Sequence, residues 1–324
     1  MTETGIGSMP DADPLFEILV AFPAGLSASQ VHVDFGSSHD RQPHPDRNLE
    51  GKIDEIWIDR LQRNPYLFNA SKFRVQSGHI CFLSLIQRNV ITRTNDMESY
   101  GGYNYLPSEE GGGDDVCLCL GLTDYKTFVG TNLSPHWENF LNPLKDDIER
   151  YIHMSNPLGN GAIVETEDNC ILVLKRSRNV GEFPGHFVFP GGHSEPQEIG
   201  ILSHDLYEDN IELNRKIADE MYTGIIREIV EETGIPTDFL GTPLFIGLSR
   251  RILNARPTAF FFVRCSLTSA EVFRFYSQAQ HKFESTELNS IPRENLAGAT
   301  ANMPGCHQGG AFLYALMSKS KTKQ

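Results

Sequence analysis

The sequence predicts an α/β protein: an α/β/α sandwich on a mixed sheet, preceded by a smaller α+β unit. Three observations carry this reading. Beyond residue 156, strand-like and helix-like segments alternate, which puts helices on both faces of a sheet. The first third instead groups short β-like runs around one amphipathic helix. The length of 324 residues with 40% apolar side chains suits two domains, or one with a large extension. The expected division is residues 14–155 for the α+β unit and 156–320 for the sandwich. No internal repeat is present.

Taken in order, residues 16–22 and 31–35 read as strands. Leu49, Ile53, Ile56, Trp57 and Leu61 recur at three- and four-residue steps, which predicts a helix over 49–64 ended by Asn64-Pro65. Residues 73–76 and 80–92 read as strands, and 93–115, rich in Gly, Ser, Asn and acid, as a surface loop. Residues 116–122 resume the sheet. Thr123 caps a short helix, and 141–154 is a further helical stretch. In the second unit, 158–166 and 170–176 are strands, and 183–192 is punctuated by Gly and Pro. A helix then carries residues 227–235. Strands at 244–249 and 258–266, a helix at 269–279, a strand at 285–291 and a last helix at 310–318 follow.

The formal net charge is −14, which argues against a nucleic-acid partner, because binding a phosphate backbone needs a basic surface. An anionic ligand would have to find local positive charge, from a metal ion or from arginines. The six cysteines are scattered without zinc-site spacing, so reduced thiols and an intracellular, cytoplasmic location are expected. The apolar run 15–22 is short, carries Glu17 and lacks a basic flank, so it is a poor signal peptide. No run reaches the roughly 18–20 apolar residues that span a bilayer, so no membrane partner is expected. Oligomeric state has no signature here. Asn69-Ala70-Ser71 and Asn132-Leu133-Ser134 match glycosylation acceptors that an intracellular chain would leave unused, and no P-loop motif is present.

The chemistry concentrates at Arg227-Glu228-Ile229-Val230-Glu231-Glu232-Thr233-Gly234-Ile235. Ile225, Ile226, Ile229 and Val230 form an apolar stripe, while Glu228, Glu231 and Glu232 crowd one helix face. Like charges at that spacing cost roughly 0.2–0.5 kcal/mol per pair. Arg227 offsets only part of this. A hard divalent cation would remove the conflict; a solvated acidic face is the plainer reading of the helix alone. Context favours the cation. In Pro190-Gly191-Gly192-His193-Ser194-Glu195-Pro196-Gln197-Glu198, two glycines after a strand let the backbone approach a ligand closely.

Together these segments resemble the Nudix box. Gly192 and Glu198 have the required five residues between them, and 227–235 matches the second half at every specified position. The departure is an insertion: 28 residues, 199–226, separate Glu198 from Arg227 where the box has seven. The chain is similar to the type-22 branch of this family, the UDP-glucose diphosphatases. The similarity runs through Ser38-His39-Asp40-Arg41, Ile56-Trp57, the segment 64–74, 120–125, Pro157-Leu158-Gly159, 190–197 and Cys265-Ser266-Leu267-Thr268.

That resemblance implies a Nudix sandwich that hydrolyses UDP-glucose and UDP-galactose to UMP and the sugar 1-phosphate, with Mg2+ (Mn2+ as a substitute) as cofactor. The N-terminal unit helps to hold the nucleotide. Glu228, Glu232 and Glu231 would hold the metal. Arg227 would orient the glutamates, with Glu228 or Glu198 as the base. Phe68 and Tyr125 would stack on uracil for roughly 1–3 kcal/mol, and Arg176 would clamp the diphosphate. Gly181, Val188, His193 and Glu195 would line the ligand. The alternatives are another Nudix substrate (ADP-ribose, a dinucleoside polyphosphate or coenzyme A) and a nucleotide-binding module without catalysis.

Overall fold

In a computed structural model of the chain, the described residues are 15–83, 115–143, 145, 147–178, 182–204, 210–278 and 285–321. The elements run β1 (Phe16–Leu26), β2 (Val31–Phe35), α1 (Arg47–Arg63), β3 (Ser71–Leu83), β4 (Asp115–Asp124), α2 (Tyr125–Gly130) and α3 (Asp147–Arg150). They continue with β5 (Gly159–Glu165), β6 (Cys170–Arg176), β7 (Phe187–Val188), α4 (Ile211–Thr233), β8 (Leu244–Arg251) and β9 (Pro257–Arg264). Last come α5 (Ser269–Gln278), β10 (Ser285–Pro292), α6 (Leu296–Ala299) and α7 (Gly305–Lys321).

A seven-stranded mixed sheet has the order β1-β8-β9-β5-β6-β10, with β7 paired to β6. Only β5 and β9 run parallel within it. Its central strands are apolar on both faces, as burial from both sides requires. Ala162, Val164, Leu172, Leu174, Phe261 and Val263 pack with α4 and α5. Their neighbours Ile163, Ile171, Val173, Phe260 and Phe262 pack with α7 through Leu313, Tyr314 and Met317. Two-residue alternation along each strand therefore builds an α/β/α sandwich.

A second, three-stranded sheet has the order β2-β4-β3. Its Val33, Phe35, Val116 and Leu118 share one core with the apolar stripe of α4. The α4 helix is thus gripped from two sides. The Tyr222 hydroxyl donates to the Leu26 carbonyl (2.8 Å), and Asn214 Oδ1 accepts from the Phe35 amide (3.2 Å). Strand β1, which lies before residue 155, pairs antiparallel with β8 in the large sheet.

Several local expectations change. Residues 141–154 do not form one helix; the structure has a 3-10 turn at Trp137–Phe140 and one helical turn at Asp147–Arg150. Asn142-Pro143 explains this, because proline removes an N–H and disfavours helical geometry at the residue before it. The cap of α2 is Asp124, which accepts from the Thr127 amide, while the Thr123 hydroxyl bonds Ser155. The expected strands at 73–76 and 80–92, the latter as far as residue 83, belong to a single β3 whose register shifts between Val75 and Ile80. Residues 84–92 and the loop expected over 93–115, up to Asp115, lie outside the described residues. Among the described residues no helix is long and apolar enough to cross a membrane.

The two sheets meet where the chain enters β5. Leu158 N–H bonds the Phe73 carbonyl (2.8 Å), and Val75 N–H bonds the Asn156 carbonyl (3.2 Å). Arg74 is buried there and donates to the carbonyls of His39 (2.6 Å), Met154 (3.2 Å) and Tyr151 (3.3 Å). Burial lowers its pKa to about 10, with Asp40 opposing the drop. Arg74→Met fills the space but strands these carbonyls, which should cost on the order of 3 kcal/mol. Urea denaturation measures this; a loss below about 1 kcal/mol would mean that the carbonyls find other partners.

Candidate active site

The glycine pair sits between β5 and α4. The carbonyls of Pro190 and Gly192 accept from the amides of Ala162 and Asn160, each at 2.8 Å. Gly191 has φ +155°, and a Cβ there would lie 2.1 Å from the Asn160 carbonyl. A Cβ on Gly192 would lie 2.0 Å from Glu228 Oε1. Glycine is therefore required at 191, where the neighbour is backbone and φ is positive, whereas a side chain at 192 would displace the Glu228 carboxylate.

On the helix side, the Gly191 amide donates to Glu232 Oε2 at 2.8 Å. Glu228 and Glu232, one helical turn apart, thus both face the glycine loop. Glu231, on the same turn, is exposed. The only described trio of His, Cys, Asp or Glu ligand atoms within 4.8 Å of one another is Asp34, His39 and Cys119 in the three-stranded sheet region, so the three glutamates do not close up by themselves. Two hard carboxylates converging beside a backbone loop, with room left for ligand oxygens, fit a magnesium-type ion.

Arg227 turns to other carboxylates. It forms an ion pair with Glu220 and approaches Glu198 at 3.9 Å. Glu198 therefore does reach the box helix across the insertion, by way of Arg227. Burial raises the pKa of Glu220, Arg227 opposes the rise, and Glu198 adds to it.

On the opposite side of the glycine loop is a positively charged group that the sequence reading missed except for Arg176. Glu182 organises it. Its carbonyl accepts from Arg176 Nε (2.9 Å), and its carboxylate accepts from Arg251 (2.6 Å) and Arg256 (2.7 Å). Burial alone would raise the Glu182 pKa, but Arg256 and Arg251 bring it to about 2. Arg256 also donates to His193 Nε2 at 3.1 Å. A guanidinium only donates, so His193 is a neutral ring with its proton on Nδ1. Burial, then Arg256 and Lys72, push the pKa of His193 well down. The Phe189 amide donates to His307 Nδ1 (3.1 Å), which leaves the His307 proton on Nε2. Burial and the three arginines lower that ring's pKa to about 3.

The remaining predicted residues fall around this centre. Val188 is buried in β7 against Leu174. Glu195 pairs with Lys72 of β3, so the N-terminal unit touches the loop directly. Phe68 is 69% exposed. Its neighbour Ala70 accepts from the Tyr125 amide (3.0 Å), which brings the two candidate aromatics onto adjacent segments. Tyr125 also meets Trp57 edge-on at 6.0 Å. Gly181 lies outside the described residues. Asn132, in a sequence matching a glycosylation acceptor, is fully buried and donates to the Asn254 carbonyl at 2.8 Å, so the folded chain offers no acceptor there.

No protein-family model matches the chain. It is 50% identical over 309 residues to Nudix hydrolase 9 of Arabidopsis thaliana, covering 93% of this chain and 91% of that protein. It is 30% identical over 292 residues to human uridine diphosphate glucose pyrophosphatase NUDT22, covering 88% of this chain and 85% of the human protein. Among solved structures, the MutT protein from Methanosarcina mazei Go1 overlays 51% of this chain and 94% of its own, at TM-score 0.34 and 20% identity. That overlay is too loose to add to the sequence relationship.

Glu182 gives a pH prediction. Its pKa falls from 4.5 to about 2 on folding, so its contribution is complete above pH 4.5 and is lost as the pH falls toward 2. Glu182→Gln should cost about 3 kcal/mol at pH 7. Denaturation at both pH values should show the gap to wild type narrowing by about 2 kcal/mol at pH 3. An equal gap at the two pH values would show that the carboxylate charge is not what holds the cluster.

Proposed function

The chain belongs to the Nudix hydrolase family, and on that premise we propose that it hydrolyses the diphosphate of UDP-sugars to UMP and a sugar 1-phosphate. One observation carries the reading most. Glu228 and Glu232 converge on the Gly191-Gly192 loop, and the same loop borders a cleft lined by Arg176, Arg256 and His307. A carboxylate pair suited to a divalent cation thus faces guanidinium groups suited to phosphate oxygens. The 30% identity to a uridine diphosphate glucose pyrophosphatase supports the uridine sugar as substrate.

Glu228 and Glu232, with Glu231 in support, are the residues that would hold Mg2+ or Mn2+. The bound cation supplies charge neutralisation of the diphosphate. The chain's own contributions are positional. Arg176 grips a phosphoryl oxygen, which leaves the phosphorus open to in-line attack by water. A carboxylate, Glu228 or Glu198, accepts the proton of that water. Arg227 holds Glu198 beside the helix. His193 is a fixed, neutral donor and does not carry protons. Phe68 and Tyr125 offer ring faces to uracil, and Lys72 with Glu195 ties this nucleotide side to the loop.

Two measurements test this. Glu232→Gln should fold normally by circular dichroism and lose at least about 10²-fold in turnover; near-normal turnover contradicts the metal assignment. In a panel of UDP-glucose, ADP-ribose, a diadenosine polyphosphate and coenzyme A, UDP-glucose should have the highest kcat/KM. A higher value for an adenine nucleotide contradicts the uridine assignment.

A further inference from the structure

We propose that Arg256 and His307 join Arg176 in a diphosphate cradle, and that Glu182 is the positioning residue that sets both arginines. This rests on the proposed reading of the site as a hydrolase of a nucleoside diphosphate sugar. The cradle is the cleft lined by Arg176, Arg256, His307, Glu232, Gly191 and Gly192. Its volume of about 60 Å³ compares with roughly 10–15 Å³ for one water on that measure. The space suits a phosphate group and is too small for a nucleoside.

The geometry keeps positive charge at this spot in an acidic protein. Two guanidiniums, those of Arg251 and Arg256, hold the Glu182 carboxylate, and a third, that of Arg176, donates to the Glu182 carbonyl. Arg251 is buried and tied to Asn254 Oδ1 and the Leu253 carbonyl, so it serves as the fixed anchor. It holds one oxygen of Glu182; the other oxygen holds Arg256. Arg176 is held through the main chain of the same residue. A single residue therefore aims two arginines into one cleft, one by its side chain and one by its carbonyl.

The turn that delivers Arg256 is built at a conformational cost. Asn254 (φ +58°) and Ala255 (φ +53°) are both left-handed, and an alanine there costs roughly 1–2 kcal/mol. The N-terminal unit holds this turn. Asn132 binds the Asn254 carbonyl, and the Phe128 ring lies 5.5 Å from the Arg256 guanidinium. His307 adds a neutral donor. Its Nδ1 is spent on the Phe189 amide, so the Nε2 proton is what it can offer to an anion.

The test uses the full chain in EDTA, with inorganic pyrophosphate and UDP as probes, read by titration calorimetry beside steady-state kinetics with UDP-glucose. Arg256→Gln should weaken both probes about 10-fold or more and raise KM by a similar factor. Arg256→Lys should recover part of the loss. Glu182→Gln should weaken the probes several-fold, and His307→Asn about threefold. Melting temperatures identify variants that fail to fold, and Arg256→Lys keeps the test open if Arg256→Gln is one of them. Unchanged probe affinity and KM in folded Arg256→Gln or Arg256→Lys overturns the cradle, as does wild-type protein that binds neither probe. Pyrophosphate binding that depends on Arg256, without UDP-glucose turnover, keeps the cradle and removes the UDP-sugar reading.

Discussion

Gly191 is closed in by the β5 backbone, and Gly192 lies against the end of the Glu228 side chain. A methyl on the first would strike the β5 backbone, and a methyl on the second would strike the Glu228 carboxylate. The backbone contact of Gly191 sets how closely the loop lies on β5, and the Gly192 contact bears on the Glu228 carboxylate. The arrangement of Glu228 and Glu232 follows from these contacts, because Glu232 is registered on the Gly191 amide itself. The same loop continues through His193 to Arg256 and through Glu195 to Lys72. A shift of the loop would therefore be felt by the carboxylates, the arginine cluster and the N-terminal unit together.

The N-terminal unit is built into the candidate site. Its three-stranded sheet covers the side of α4 that the large sheet leaves open, and its Asn132 and Phe128 brace the turn that carries Arg256. Electrostatics gives this bracing a purpose. A chain with a net charge of −14 repels a diphosphate at long range. Attraction would come from a bound cation or from guanidiniums packed close enough to act locally, and the Glu182 carboxylate holds Arg251 and Arg256 together.

The parts of the site legible in the sequence were those written in fixed local spacing. The α4 glutamates, the glycine pair and Glu198 belong to one motif; the structure brings Glu228 and Glu232 to the glycine loop and Glu198 to Arg227, and leaves Glu231 exposed. Arg176 is reached through the family resemblance alone. Glu182, Arg251, Arg256 and His307 carry no such mark, because the partners of the Glu182 carboxylate lie 69 and 74 residues away and the amide that binds His307 lies 118 away. The one local hint at Arg256 is its place before Pro257, which forces it into an extended conformation. In the fold, every described strand except the two-residue β7 overlaps an expected one, while α4 begins at Ile211, well before the helix expected over 227–235. The helix expected over 141–154 does not form, because Pro143 opposes helical geometry at its start. The pairing of β1 with β8 depends on long-range register that local patterns do not encode.

The central claim is attack by water within the diphosphate of a UDP-sugar. Hydrolysis of UDP-glucose with Mg2+ in 18O-labelled water, with both products identified by mass, tests it most directly. The account predicts UMP and glucose 1-phosphate, with the label on one phosphate. Release of UDP and free glucose, or no hydrolysis with the metal supplied, would contradict it.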